Sequence, residues 1–139
     1  MARAVSYAGV MPDASLLEAF ATPTDTPFVI EHVAEEFTSV CPVTGHPDFG
    51  EVRIRFEPRP GSDGGVCVEL KSLKLYLQSF RNEGAYYEAV TNLIRDDLAA
   101  LMSPVWMRVT TLWRGRGGIR SVVSADFGNP PGGGSYSQL

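Results

Sequence analysis

The chain has 139 residues, 44% of them apolar and 20% charged, with 12 Lys+Arg against 16 Asp+Glu for a net charge of −4. That size suits one domain with its own core, and no apolar run approaches the ~20 residues that a bilayer span requires, so a soluble protein is expected. Met1 to Ala14 carry no sustained apolar stretch, so no secretory leader is expected and the cytoplasm is the expected location; Cys41 and Cys67 are too few for a disulfide framework and read as free thiols.

In chain order, residues 27–38 read as a strand, and residues 51–57 alternate cleanly, with Val52, Ile54 and Phe56 on one face. Pro58, Pro60, Gly61, Gly64 and Gly65 then break the chain. A short strand over 66–70 runs into KSLKLYLQSF, where Leu73, Leu77 and Phe80 fit one side of a helix. A longer helix over about 85–102 places Tyr86, Val90, Leu93, Ile94, Leu98 and Leu101 at helical spacing, and Pro104 ends it. Strands follow over 105–113 and 119–125, separated by a turn at 114–118. Strands flanking a helical block imply an α+β fold, an antiparallel sheet covered on one face by two helices. We expect a lead segment over 1–26, one domain over 27–128, and a flexible Gly/Pro-rich tail over 129–139. Such a sheet leaves its edges open, which assembly with identical neighbours would close.

Charge is spread unevenly along this order. Residues 1–70 hold four Arg and eleven Asp+Glu, whereas residues 71–120 hold eight Lys+Arg and four acids. The second half can attract an anion, but the acidic whole argues against general duplex binding, which needs many phosphate contacts. A compact phosphorylated ligand fits better.

Several chemical devices are missing. There is no G-x-G-x-x-G, Walker loop, paired C-x-x-C or H-E-x-x-H, and His32 and His46 are too far apart for a local metal motif, so no metal is expected. The loop around Cys41 is more informative. Cys41 sits where a strand gives way to a Pro/Gly turn, and Asp48 follows after a stretch stiffened by Pro42 and Pro47. Such a loop can return a carboxylate to a thiol, and a nucleophilic cysteine needs a proton acceptor nearby because the thiolate is the reactive species. The plain alternative is a buried structural cysteine beside a surface aspartate. Lys71 and Lys74, three apart at a helix start, face roughly one way and could hold a phosphate, with Arg116 from the turn R-G-R-G-G as a further donor; the plain alternative is a solvated helix face.

The runs F-T-S-V-C-P-V-T-G-H-P-D-F, E-L-K-S-L-K-L-Y-L-Q-S-F-R-N, Y-Y-E and R-G-G-I together closely resemble the QueF-type NADPH-dependent 7-cyano-7-deazaguanine reductases of the queuosine pathway, over about residues 36–128. The resemblance implies a tunnelling fold in a ring-forming homo-oligomer, two stacked pentamers with sites between subunits, and reduction of a nitrile to a primary amine with two NADPH per substrate. It implies that Cys41 adds to the nitrile carbon to give a thioimide, with Asp48 as proton donor. Val68, Glu69, Leu70 and Glu88 would line the substrate pocket, with Glu88 accepting from the two adjacent donors of a guanine-like edge. Leu70, Lys71, Lys74, Arg116 and Gly117 would contact the cofactor. No nucleic acid and no membrane would be direct partners. Tyr87 also lies in the implied substrate pocket, but stands where the family usually has His, and a tyrosine can still donate a hydrogen bond. Two rivals are a same-fold amidinotransferase, which would use ammonia and no nicotinamide and against which the Glu69 to Lys74 block argues, and a ring-forming module without catalysis.

Overall fold

The computed structural model describes residues 10–132. A 3₁₀ turn at Ala14–Leu16 leads into β1 (Ala19–Ala21), followed by β2 (Ile30–Val40), β3 (Pro47–Glu57), β4 (Val66–Val68), α1 (Leu70–Gln78), α2 (Tyr87–Met102), β5 (Trp106–Arg116) and β6 (Ile119–Phe127). The main sheet has the order β2-β3-β5-β6, antiparallel throughout, and β1 pairs with β4 in a two-stranded sheet of its own.

The alternation of β3 fixes which face of the sheet is covered. Val52, Ile54 and Phe56 are buried and stand opposite Thr111, Val109 and Met107 of β5. Over that face lies α2, whose Val90, Ile94, Leu98 and Met102 recur every fourth residue and are all buried. α1 adds Leu73, Tyr76 and Leu77 to the same core. The Tyr76 hydroxyl donates to Asp97 Oδ2 at 2.6 Å, tying the two helices together; burial and the facing carboxylate push this phenol well above its usual range. Among the described residues no helix is long and apolar enough to cross a membrane.

Expected and observed elements differ at their ends. β3 begins at Pro47 rather than residue 51, because the hairpin with β2 continues through Ser39↔Asp48 and Val40↔Pro47. β4 stops at Val68, since the Glu69 carboxylate accepts the Lys71 and Ser72 N–H groups (both 2.8 Å) and so starts α1. α2 starts at Tyr87 rather than residue 85 and ends at Met102, its C-cap Ser103 in the left-handed region at φ 42 just ahead of Pro104. β1 was not expected, as three residues are too short to show a period. Residues 10–26, set apart in the sequence as a lead segment, run against the domain: Val10 is buried, and Glu69 N donates to Glu18 O at 2.8 Å. Expectations for residues 1–9 and 133–139 lie outside the described residues.

Two irregularities in the main sheet determine what reaches its covered face. Between Ala34↔Val52 and Phe37↔Gly50, β2 advances three residues while β3 advances two. One extra residue, in the Glu35-Glu36 step, therefore switches the inward positions of β2 from even to odd. Phe37, Ser39 and then Cys41 face the helices, where an unbroken ladder would have turned Cys41 to the opposite face. β5 does the same between Trp113↔Ser121 and Arg116↔Ile119, which brings Arg116 to the side of Trp113.

Candidate active site

Cys41 directly follows β2 and is 8% exposed. Its N–H donates to His46 O at 2.8 Å and its carbonyl accepts from Gly45 N at 2.9 Å, closing the tight turn that the prolines stiffen. One residue earlier, Val40 N donates to Glu83 O and Val40 O accepts from Ala85 N, both at 3.0 Å. These two bonds set the thiol beside the first turn of α2.

Asp48 lies on β3 opposite Ser39 and is 3% exposed. Its Oδ1 accepts from Arg116 Nη1 at 2.9 Å and from the Tyr87 hydroxyl at 3.3 Å. Arg116 arrives from the tip of the β5–β6 hairpin, where Gly117 and Gly118 at φ 58 and 82 form the two-residue turn that only residues tolerant of positive φ can make. The guanidinium also bonds the Cys41 sulfur, and that cation is the main reason the thiol is pulled from its ordinary 9.0 down to about 6; the Thr44 hydroxyl and the Thr44 and Val43 N–H groups act in the same direction. Cys41 is thus poised as a thiolate near neutrality. Tyr87 is shifted the other way, its phenol raised by burial and by the charge of Asp48, and keeps its proton.

Tyr87 is itself held in place. Its ring stacks on Trp113 at 4.1 Å between centroids and 9° between planes. The Trp113 ring closes down on Gly50, where an added Cβ would lie 2.8 Å from Leu112 O and 3.0 Å from Trp113 Cε3. Ser39, fully buried between Phe37 and Cys41, has a hydroxyl with no hydrogen-bond partner among the described residues.

The remaining residues singled out in the sequence lie elsewhere. Leu70, Lys71 and Lys74 are exposed on α1, along a groove of about 1510 Å³ between α1 and β2. Arg81 and Arg114 line the same groove, Glu31, Glu35 and Glu36 line its β2 side, and Val40, Gly45 and Pro47 place one part of it at the Cys41 turn. Glu69 also borders the groove, but its carboxylate is spent on the α1 cap, and the Lys71 and Ser72 N–H groups hold it below the usual range. Val68 is buried, paired with Ala19. Glu88 is exposed in the first turn of α2. Cys41, Asp48, Tyr87 and Arg116 therefore form one cluster, and Glu69, Leu70, Lys71 and Lys74 border a neighbouring groove. Arg116, grouped with the lysines in the sequence, stands with the thiol and carboxylate because of the β5 bulge. Thr44, Ser39, Trp113, Arg81 and Arg114 were not singled out; the only signal for Ser39 was the inward run Phe37, Ser39, Cys41.

The family described as QueF-like protein matches residues 47–131. A protein of Anaeromyxobacter sp. (strain K) named NADPH-dependent 7-cyano-7-deazaguanine reductase is 51% identical over 118 residues, covering 84% of this chain and 93% of that protein. One of the same name from Rhodopirellula baltica is 52% identical over 112 residues, covering 80% and 88%. Among solved structures, the archaeosine synthase QueF-Like in the apo form superposes with a TM-score of 0.63 at 22% identity, covering 79% of this chain and 99% of that one, a likeness of fold. With a matched family across most of the α+β domain and half the residues shared with its reductases, this chain belongs to the QueF-like family.

Proposed function

We propose that this chain is an NADPH-dependent nitrile reductase acting in the cytoplasm, which converts 7-cyano-7-deazaguanine to 7-aminomethyl-7-deazaguanine in queuosine biosynthesis. The observation that carries the reading is the Cys41–Arg116–Asp48 cluster, a lowered thiol and a buried carboxyl bridged by one cation. The Cys41 thiolate attacks the nitrile carbon, one C–N π pair takes a proton from Asp48, and a thioimide results. Bound NADPH supplies hydride, and since nitrile to amine is a four-electron change, two hydrides are needed. After the first, Cys41 leaves as a thiolate beside Arg116, which stabilises it as the leaving group, and Asp48, reprotonated from solvent, gives nitrogen its second proton. Glu88, exposed next to Tyr87, accepts from the adjacent ring N–H and exocyclic amine of the substrate.

The groove along α1 has room for the cofactor, and its cations stand opposite the glutamates of its β2 side. Lys71, Lys74, Arg81 and Arg114 line it, and a 2′-phosphate needs such partners. Leu70, Lys71, Lys74, Arg116 and Gly117 would be the residues that hold the cofactor, which would supply the hydride. A tunnelling-fold ring of two stacked pentamers would complete each site between subunits. Among the same-fold alternatives, an amidinotransferase would have no use for a nicotinamide site along α1.

The test is to mix purified protein with NADPH and 7-cyano-7-deazaguanine and follow the reduced nicotinamide. Two equivalents consumed per substrate are expected, with a mass gain equal to one substrate on Cys41 when NADPH is withheld. Amine transfer without NADPH loss, or an adduct on Cys67, would overturn the reading.

A further inference from the structure

The side chain of Tyr87 has more scaffolding behind it than a pocket wall needs. Trp113 Nε1 donates to Thr111 Oγ1 at 2.7 Å, Thr111 and Thr91 hydroxyls meet at 2.7 Å, and Thr91 Oγ1 donates to the Tyr87 carbonyl at 2.8 Å. Because the Thr91 proton goes to that carbonyl, Thr111 must donate to Thr91, so the chain has one direction and no free choice. Thr91, Thr111 and Trp113 are all at most 1% exposed. A buried network in which every member is satisfied is rigid. This one begins at the indole on which the Tyr87 ring stacks and ends at the Tyr87 backbone, so both sides of the residue are fixed, and its hydroxyl, while accepting from the Arg116 guanidinium, donates to Asp48 Oδ1.

That oxygen accepts twice, from Tyr87 and from Arg116. A carboxylic acid has one carbonyl oxygen and one hydroxyl oxygen. With two donors pointing at Oδ1, a proton on Oδ1 would meet them head on, whereas a proton on Oδ2 leaves Oδ1 as a carbonyl that keeps both bonds. We propose that Tyr87 is a positioning residue: with Arg116 it pins Oδ1 of Asp48 so that Oδ2 alone carries the proton exchanged with the reacting nitrogen. This rests on the roles of Cys41 and Asp48 given above. Tyr87 acts through Asp48 and does not itself deliver the proton, in keeping with a phenol whose ionisation burial opposes.

Tyr87→Phe keeps the ring and its stack and removes only the hydroxyl. The nitrile base without NADPH is mixed rapidly with wild type and Tyr87→Phe, and the rate of adduct formation at saturation is followed by intact mass. Its dissociation constant is measured by calorimetry in Cys41→Ala and Cys41→Ala/Tyr87→Phe. The dissociation constants should agree within about twofold, while the saturated rate falls about tenfold or more, since a hydrogen bond to an ionisable group is being removed. Tyr87→His, which restores a ring donor, should recover part of the rate. An unchanged rate in Tyr87→Phe, or weaker binding with the saturated rate intact, overturns the proposal, the second result making Tyr87 a substrate contact. If wild type itself forms no adduct, the reductase reading fails and this role with it; an adduct in wild type confines any failure to Tyr87.

Discussion

The chemistry of Cys41 is set by one residue distant in sequence. Arg116 is the largest cause of the lowered thiol, ahead of the Thr44 and Val43 donors of the turn. Its cation and hydrogen bond favour the charged form, so removing it must move the thiol back up. We expect the rate of iodoacetamide alkylation at Cys41 to rise with a midpoint at about pH 6 in wild type, and Arg116→Ala to shift that midpoint upward. A midpoint that stays where it was would assign the shift to the Thr44 turn alone. Cys41 and Asp48 were legible in sequence because Pro42, Gly45 and Pro47 announce a turn short enough to return one residue to the other. Arg116 was legible as a cation but not as their partner. It is 68 residues from Asp48, and its inward facing depends on a bulge that spacing does not encode.

At the scale of elements, the cluster is assembled by breaks in regularity. Alternation made β3 and the later strands readable, and a four-residue period made α2 readable, because each reports a face that stays buried along its length. The β2 bulge reverses that report halfway. The reversal had a faint signature: small or apolar residues at 30 and 34, two successive glutamates, then Phe37 and Cys41 on the other parity. Gly50 is the second such break. In mid-strand it gives up β propensity, and what it gains is the approach of the Trp113 ring. The atom nearest an added Cβ is the Leu112 carbonyl, which belongs to the ladder and cannot yield as a side-chain tip would. Gly50→Ala should therefore destabilise the fold by about 1–3 kcal/mol, as overpacking does. By displacing Trp113 it should also loosen the Tyr87 stack and slow adduct formation. Thermal denaturation and the adduct rate check both, and an unchanged melting temperature would mean the strand spreads without strain.

For the whole molecule, the sheet ends in β2 on one side and β6 on the other, and neither outer edge is covered by another strand among the described residues. On its outer face, among ion pairs such as Arg53–Glu51 and Arg108–Asp126, Val33, Phe49 and Val122 are 46%, 47% and 44% exposed. Glu88, the expected anchor of the substrate, lies open on α2 with no wall facing it from the described residues. Open edges, exposed apolar side chains on the outer face and an unwalled anchor would all be covered by the same event, association of identical copies, and closed point-group symmetry is the usual form that takes. Light scattering should return a mass several times 15.1 kDa. Activity measured at falling protein concentration should drop as that mass drops, if, as proposed, a subunit on its own holds the nucleophile without the rest of the pocket. A monomer with full activity would contradict this and would require the groove beside α1 and the Cys41 cluster to form a sufficient site within one chain.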